Sequence, residues 1–222
     1  MIGLLAAGAA AAALAGPGDF TTAIDNPYWP MRPGTRWVYR ETDSDGAVQK
    51  VVVKVTHRTK RVTSGVVGRV VRDRVTEKGE LVEDTFDWFA QDRRGNVWYL
   101  GEDTTEYENG RPVSTAGSFE DGANGARCGI VMLAHPRVGR EYRQERAPGV
   151  AEDEARVLSR DEQVQVPFGR FKNALLTRDT NPLEPRVNEY KLYARGVGPV
   201  LSLGISSGAG REELVRFRRG QG

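Results

Sequence analysis

Val48 to Thr56 alternates valine with polar residues, placing Lys50 and Lys54 on one wet face, the period of a half-buried β-strand. Gly65 to Val75 repeats the pattern, and Trp37-Val38-Tyr39 opens an earlier strand. Further strand-like runs follow at Thr104 to Tyr107, Arg111 to Ser114, Tyr142 to Arg146, Ala155 to Ser159 and Glu162 to Val166. Ala174 to Arg178, Val187 to Ala194, Val200 to Leu203 and Leu214 to Phe217 complete the set. Turn chemistry punctuates these runs. Hairpin turns are predicted at Asp45-Gly46, Lys78-Gly79, Gly95-Asn96 and Asn109-Gly110, where glycine and asparagine tolerate left-handed backbone. Glu152 to Ala155 could open a short helix, but the spacing of Val157 and Val164 favours strand. No segment carries a convincing helical period. The pattern predicts an all-β fold, an antiparallel meander curled into a barrel or half-barrel with little helix.

The hairpin from Glu83 to Glu102 stands out. Phe86, Trp88 and Ala90 share one face of its first strand, while Thr85, Asp87, Phe89 and Gln91 share the other. Neither face is wholly polar, so the strand packs on both sides or lines a cavity on one. The hairpin is expected to sit centrally in the sheet with Trp88 and Trp98 mostly buried. Gly117 to Gly129 differs in character: small residues and the pairs Asp121-Gly122 and Asn124-Gly125 suggest a long structured loop of the kind that often serves function.

The chain has 222 residues, 39% of them hydrophobic and 28% charged, ordinary values for a soluble globular protein. Met1 to Ala15 is almost entirely Ala, Leu, Ile and Gly and ends in the small-x-small pattern Ala13-Leu14-Ala15. No Lys or Arg precedes it, yet the run reads as an export signal too short to span a bilayer. The expected organisation is an export signal at 1–15, a Pro-rich extended lead-in at 16–35, a single β domain at 36–218 and a tail at 219–222. The compartment is then periplasmic or extracellular, and no membrane span is expected in the mature chain. The charged run from Arg211 to Arg219 reads as a solvated last strand and frayed tail.

Charge excludes one class of partner. With 32 basic and 30 acidic residues the net charge is +2, which provides no electrostatic footprint for nucleic acid. The single cysteine, Cys128, has no partner for an intramolecular disulfide and reads as a small buried residue. His57 and His135 are unclustered, and a zinc site needs three or four converging ligands. H-E-x-x-H and P-loop patterns are missing, so neither a metal nor another cofactor is expected.

What remains is carboxylates and aromatic rings. Glu83, Asp84, Asp87, Asp92, Glu102 and Asp103 crowd the hairpin, with Arg69, Arg72, Arg74, Arg93 and Arg94 on or beside neighbouring strands. Cross-strand ion pairing is the ordinary explanation. A Ca²⁺ site and a hydrolytic pair, Asp87 with Glu83 or Glu102, are the sharper ones. Trp29, Trp37, Trp88 and Trp98 all precede residue 100 and are either core or cavity lining. The candidate ligand-binding residues are Asp87, Trp88, Trp98, Tyr99 and Glu102.

Three motifs carry a resemblance. The first is Tyr28-Trp29-Pro30 followed by Pro33-Gly34-Thr35-Arg36-Trp37-Val38-Tyr39. The second is Asp87-Trp88-Phe89-Ala90-Gln91-Asp92 with Gly95-Asn96-Val97-Trp98-Tyr99. The third runs from Gly169-Arg170-Phe171-Lys172-Asn173 to Tyr193-Ala194-Arg195-Gly196-Val197-Gly198. Together they resemble a family of exported bacterial all-β proteins that no activity defines. The architecture is similar to LolA-like periplasmic half-barrels, a likeness that carries over no ligand-binding residue. The resemblance implies an exported cell-envelope protein. The expected role is non-enzymatic binding of a lipid-like or other small apolar ligand, or of a protein partner. A secreted hydrolase and a purely structural envelope module are the alternatives.

Overall fold

The structure is a computed structural model and describes residues 16–205 and 210–221. The export-signal reading of Met1 to Ala15 lies outside the described residues. The strands are β1 (Phe20–Thr21), β2 (Arg36–Thr42), β3 (Val48–Arg61), β4 (Val67–Glu77), β5 (Glu80–Asp92), β6 (Val97–Glu108), β7 (Arg111–Ser114) and β8 (Phe119–Glu120). They continue as β9 (Arg127–Met132), β10 (Glu141–Arg143), β11 (Glu145–Arg146), β12 (Glu154–Val166), β13 (Gly169–Thr180), β14 (Asn188–Ala194), β15 (Gly198–Gly204) and β16 (Arg211–Arg218). The only helical element among the described residues is a 3₁₀ turn at Pro17–Asp19.

Two antiparallel meanders, β2 to β6 and β12 to β16, are joined edge to edge through β16 and β2. The far edges approach each other through one short piece of chain. β10 pairs with β12, β11 pairs with β9, and only Gln144 separates β10 from β11. The result is a nearly closed all-β barrel, as the alternation predicts, and closure removes the exposed edges that an open sheet would leave.

All four predicted turns join successive strands. At Lys78-Gly79 and Asn109-Gly110 both central residues have positive φ, which matches the twist of the flanking strands. Elsewhere the strands are longer than the local pattern indicates. Ala155–Ser159 and Glu162–Val166 are one strand, β12, whose ladder to β13 shifts register between Val157 and Val164. Bulges there break the alternation that would have revealed one continuous strand. Thr104–Tyr107 is the end of β6, and the loop after Gly117 contributes β8 and the start of β9.

The motif residues hold one another. The Trp37 indole N–H donates to the carbonyl of Val197 at 2.8 Å, and the Tyr39 hydroxyl donates to that of Pro199 at 3.1 Å. The Gly196 N–H reaches the carbonyl of Pro27. Asp92 accepts from the backbone N–H groups of Arg94 and Asn96 and from the Trp98 indole, which fixes the β5–β6 turn. Gln91 accepts from the N–H groups of Asp25 and Asn26, and Asn26 donates to the carbonyls of Gly95 and Leu133. The Pro-rich lead-in is thereby tied to the barrel, and its Ile24, Tyr28 and Met31 are buried in the core. The expected fraying of the tail is corrected. Arg219 donates to the carbonyl of Gly196 and the Gly220 N–H to the Thr35 hydroxyl, so the chain end is pinned against the lead-in.

Candidate functional site

A cavity of about 390 Å³ lies within the barrel, in the size range of small-molecule sites. Its apolar lining comes from Trp29 and Met31 of the lead-in, Trp37 of β2, Val53 of β3, Val71 of β4, Phe89 of β5, Val131 of β9 and Leu201 of β15. Trp29 sits 5.7 Å from the Phe89 ring and 5.8 Å from the Tyr193 ring, centroid to centroid. Phe89 in turn stacks on Tyr99 at 4.9 Å. This aromatic cluster draws on the lead-in, β5, β6 and β14, which meet only through tertiary packing.

The polar lining is strongly acidic. Seven carboxylates, Glu41, Asp73, Asp87, Glu145, Asp153, Glu189 and Glu212, face a single basic side chain, Lys191. Lys191 is already engaged, with Asp179 at 3.2 Å and Glu189 at 3.1 Å. Burial opposes its charge, but these two carboxylates outweigh burial and hold its pKa well above the usual value. The remaining six lining carboxylates form no ion pair among the described residues. Four of them, Glu212, Glu41, Asp73 and Asp87, project from β16, β2, β4 and β5, with β3 lying between β2 and β4. Glu41 and Glu212 are register partners across β2 and β16, which places like charges side by side. Asp73 as a whole is half-buried, yet its Oδ1 has almost no exposed surface and no hydrogen-bond partner among the described residues; Asp153 Oδ1 is the same.

Desolvation by burial is the largest cause of the raised carboxylate pKa values. It lifts Asp87 to about 6, against the opposing hydrogen bond from the Tyr99 hydroxyl at 2.6 Å. It lifts Glu145 and Glu212 to about 7, with repulsion from Asp153 and Glu41 respectively adding to it. Asp73 is raised well above the carboxylate range, by burial first and then by Asp87 and Glu212.

The structure separates the residues singled out in the sequence. Asp87 and Tyr99 line the cavity. Glu102 stands opposite Asp87 in the β5–β6 register but outside the lining, and burial followed by repulsion from Asp87 raises it to about 9. Trp88 and Trp98 lie on the other face of the hairpin. Trp88 is 4% exposed in a separate cluster with Val62, Val66, Val70, Ala90 and Leu100, against which the half-buried Trp98 packs. The Lys60 ammonium sits 3.4 Å from the centre of the Trp88 ring. Glu83 lies on the Asp87 side and donates no partner to it; its Oε1 accepts from the Thr85 hydroxyl. Of the arginines near the hairpin, Arg72 makes a bidentate pair with Asp84.

A bulge explains how Tyr99 and Glu102 share a face although three positions apart. The register slips between Trp88 and Phe89, leaving Leu100 as the extra residue on β6 beside Gly101 at φ 126°. A Cβ at Gly101 would come within 2.1 Å of the Phe119 carbonyl oxygen, so only glycine fits there. Sequence reasoning missed Glu41, Asp73, Glu145, Asp153 and Glu212 as site residues. Each sits in a strand or loop with nothing local to mark it. Cys128 is half-buried with its thiol pushed up to about 12 by burial, and the N–H of Cys128 donates to Asp121 in the long loop. Among the described residues, no three of His, Cys, Asp and Glu converge so as to hold a metal ion, and no helix is long and apolar enough to cross a membrane.

No family model matches the chain, and no curated protein does either. One solved structure similar in fold is that of a candidate lipoprotein from Parabacteroides distasonis, 13% identical, with a TM-score of 0.46 over 87% of this chain and 99% of that one.

Proposed function

We propose that this chain is an exported cell-envelope protein that holds a small molecule inside its barrel without transforming it. The observation that carries the reading is the cavity of about 390 Å³, walled by packed aromatic rings and by carboxylates of which two, Asp73 and Asp153, have a buried oxygen without a hydrogen-bond partner among the described residues. A barrel interior serving structure alone fills with side chains at crystal-like density. Unsatisfied buried oxygens are costly and rare, and a bound polar group would relieve them. Export is supported by the signal-like run at Met1 to Ala15 and by the motif resemblance to exported β-proteins. Asp87 and Tyr99 are the ligand contacts we propose from the hairpin, with Trp29, Phe89 and Tyr193 as the apolar platform.

Two measurements test this. Protein purified from the cell envelope should carry a co-purifying small molecule by native mass spectrometry. A Leu201→Trp variant, which fills the cavity from β15, should lose it while keeping the parent circular dichroism. A chain that is empty in both forms, and whose tryptophan fluorescence responds to no ligand in a broad panel, would leave only the structural-module reading.

Asp87 and Glu102 favour a second reading. The two are register partners, and the Tyr99 hydroxyl donates to Asp87. Carboxylates with separated pKa values are the arrangement that general acid–base hydrolysis uses. Turnover of a glycoside or ester that is lost in Asp87→Asn with the fold intact would establish the hydrolase instead.

A further inference from the structure

We propose that the cavity takes an organic cation, an ammonium-type group carried on a small apolar body, in preference to an anionic or neutral lipid. This rests on the reading that the barrel interior holds a ligand, and it names that ligand's charge and size.

The charge follows from what the cavity lacks. The chain as a whole is close to neutral, at +2, yet seven carboxylates line the cavity against one lysine. Lys191 is shared between Asp179 and Glu189 and forms no ion pair with the other lining carboxylates. Glu41, Asp73, Asp87 and Glu212 have no ion-pair partner among the described residues. Asp73 is the second, independent sign: it lines the cavity, and its Oδ1 finds no donor among the described residues. Burying uncompensated carboxylates is expensive, and a cation brought from solution offsets that cost. An anionic ligand would add to it. A neutral apolar ligand would leave the acceptors unpaired.

The rings specify the kind of cation. Trp29, Phe89 and Tyr193 cluster at 5.7–5.8 Å between centroids and line the same space. Aromatic faces beside carboxylates attract poorly hydrated organic cations through the ring quadrupole. An inorganic ion is a poor match, since no three candidate ligands converge among the described residues. The volume of about 390 Å³ holds roughly a dozen non-hydrogen atoms, taking about 30 Å³ for each as for liquid water.

The test uses the full chain and three probes of matched size. Benzyltrimethylammonium is the cation, neopentylbenzene its uncharged carbon isostere, and benzenesulfonate the anion. Calorimetric or fluorescence titration should find the cation bound at least about ten-fold more tightly than either of the others. Asp73→Asn and Glu212→Gln should each weaken the cation by about ten-fold and leave the isostere within about two-fold. Asp84→Asn, which touches Arg72 rather than the cavity, serves as the control and should change neither. If either substitution unfolds the barrel, Glu41→Gln at the register partner of Glu212 takes its place. The inference is overturned if the isostere or the anion binds as tightly as the cation, or if cation binding ignores every cavity substitution. In the first of those outcomes the ligand-binding reading stands and only its charge is wrong. If no probe binds and no molecule co-purifies, both readings fall together.

Discussion

The two faces of β5 invert the usual arrangement of a protein wall. The face turned to the barrel interior carries Asp87 and Phe89 and borders a cavity with acidic lining. The face turned away carries Trp88 and Ala90 and is dry, packed with Val62, Val66, Val70 and Leu100. What covers each face explains the difference. The turn from Val62 to Val66 is locked to the loop after β8, where the Ser64 hydroxyl donates to Asp121 at 2.5 Å and the Ser64 N–H donates to the Asp121 carbonyl. Thr63 donates to Glu120 through both N–H and hydroxyl, and Lys60 pairs with the same carboxylate. The long glycine-rich loop is thus tied to the turn that borders the outer cluster, while its Phe119 and Ala126 pack into the inner core. The outer face is apolar and packed, whereas the inner face borders both the main core, through Phe89, Val97 and Tyr99, and the cavity.

If that division holds, substitutions on the two faces should separate stability from binding. The largest effect is expected at Trp88. Removing a ring that is 4% exposed should cost about 3–5 kcal/mol in urea unfolding, while the cavity keeps its ligand affinity in the fraction that remains folded. A Trp88→Ala protein that melts like its parent but no longer binds would reverse the assignment of the faces.

pH probes the inner face. Burial raises the folded-state pKa of Asp87 to about 6 and of Glu145 and Glu212 to about 7, from ordinary values of 3.8 and 4.5. The native state therefore holds protons more tightly than the unfolded chain between roughly pH 4 and 7, and stability must fall as pH rises through that window. At lower pH the sign reverses. Lys191 holds Glu189 below the usual range, and Arg211 and Arg40 do the same for Glu213, so protonating either carboxylate weakens the fold. The optimum should lie near pH 4, with the melting temperature at pH 8 lower by about 5 °C or more. A curve that rises from pH 5 to pH 8 would mean that the carboxylates are compensated in the empty protein.

Gly101→Ala should cost about 1–3 kcal/mol, because the residue has φ 126° and its new Cβ meets the Phe119 carbonyl oxygen. Its effect should reach β8 and the loop after it before the cavity, visible as faster amide exchange around Phe119 than around Tyr193. Glu212→Gln should stabilise the ligand-free protein by about 1 kcal/mol at pH 8 and leave it unchanged at pH 5, since burial, which lifts Glu212 to about 7, opposes only the ionised carboxylate. The smallest effect belongs to Lys60→Met. Losing the ammonium over Trp88 should cost about 0.5–1 kcal/mol in thermal unfolding and nothing in binding.

Much of the frame was legible in the residues themselves. Period-2 alternation and the four glycine-bearing turns determined an all-β, antiparallel chain, because a strand's side chains alternate whatever surrounds it and left-handed turns demand particular residues. The hairpin at 83–102 could be drawn from its two aromatic runs. Alternation says that Asp87 and Trp88 face opposite ways, but not which way is inward, since that depends on where the sheet curls and what lies over it. The bulge at Leu100 and Gly101 then shifts the parity, so Tyr99 and Glu102 share a face that a regular strand would have denied them. The acidic wall was out of reach altogether. Glu41 and Glu212 become neighbours only when β16 closes against β2, and Asp73 joins them from a third strand. Local chemistry cannot signal such a convergence, because the cost of crowding carboxylates arises only after the barrel has excluded the water that separates them.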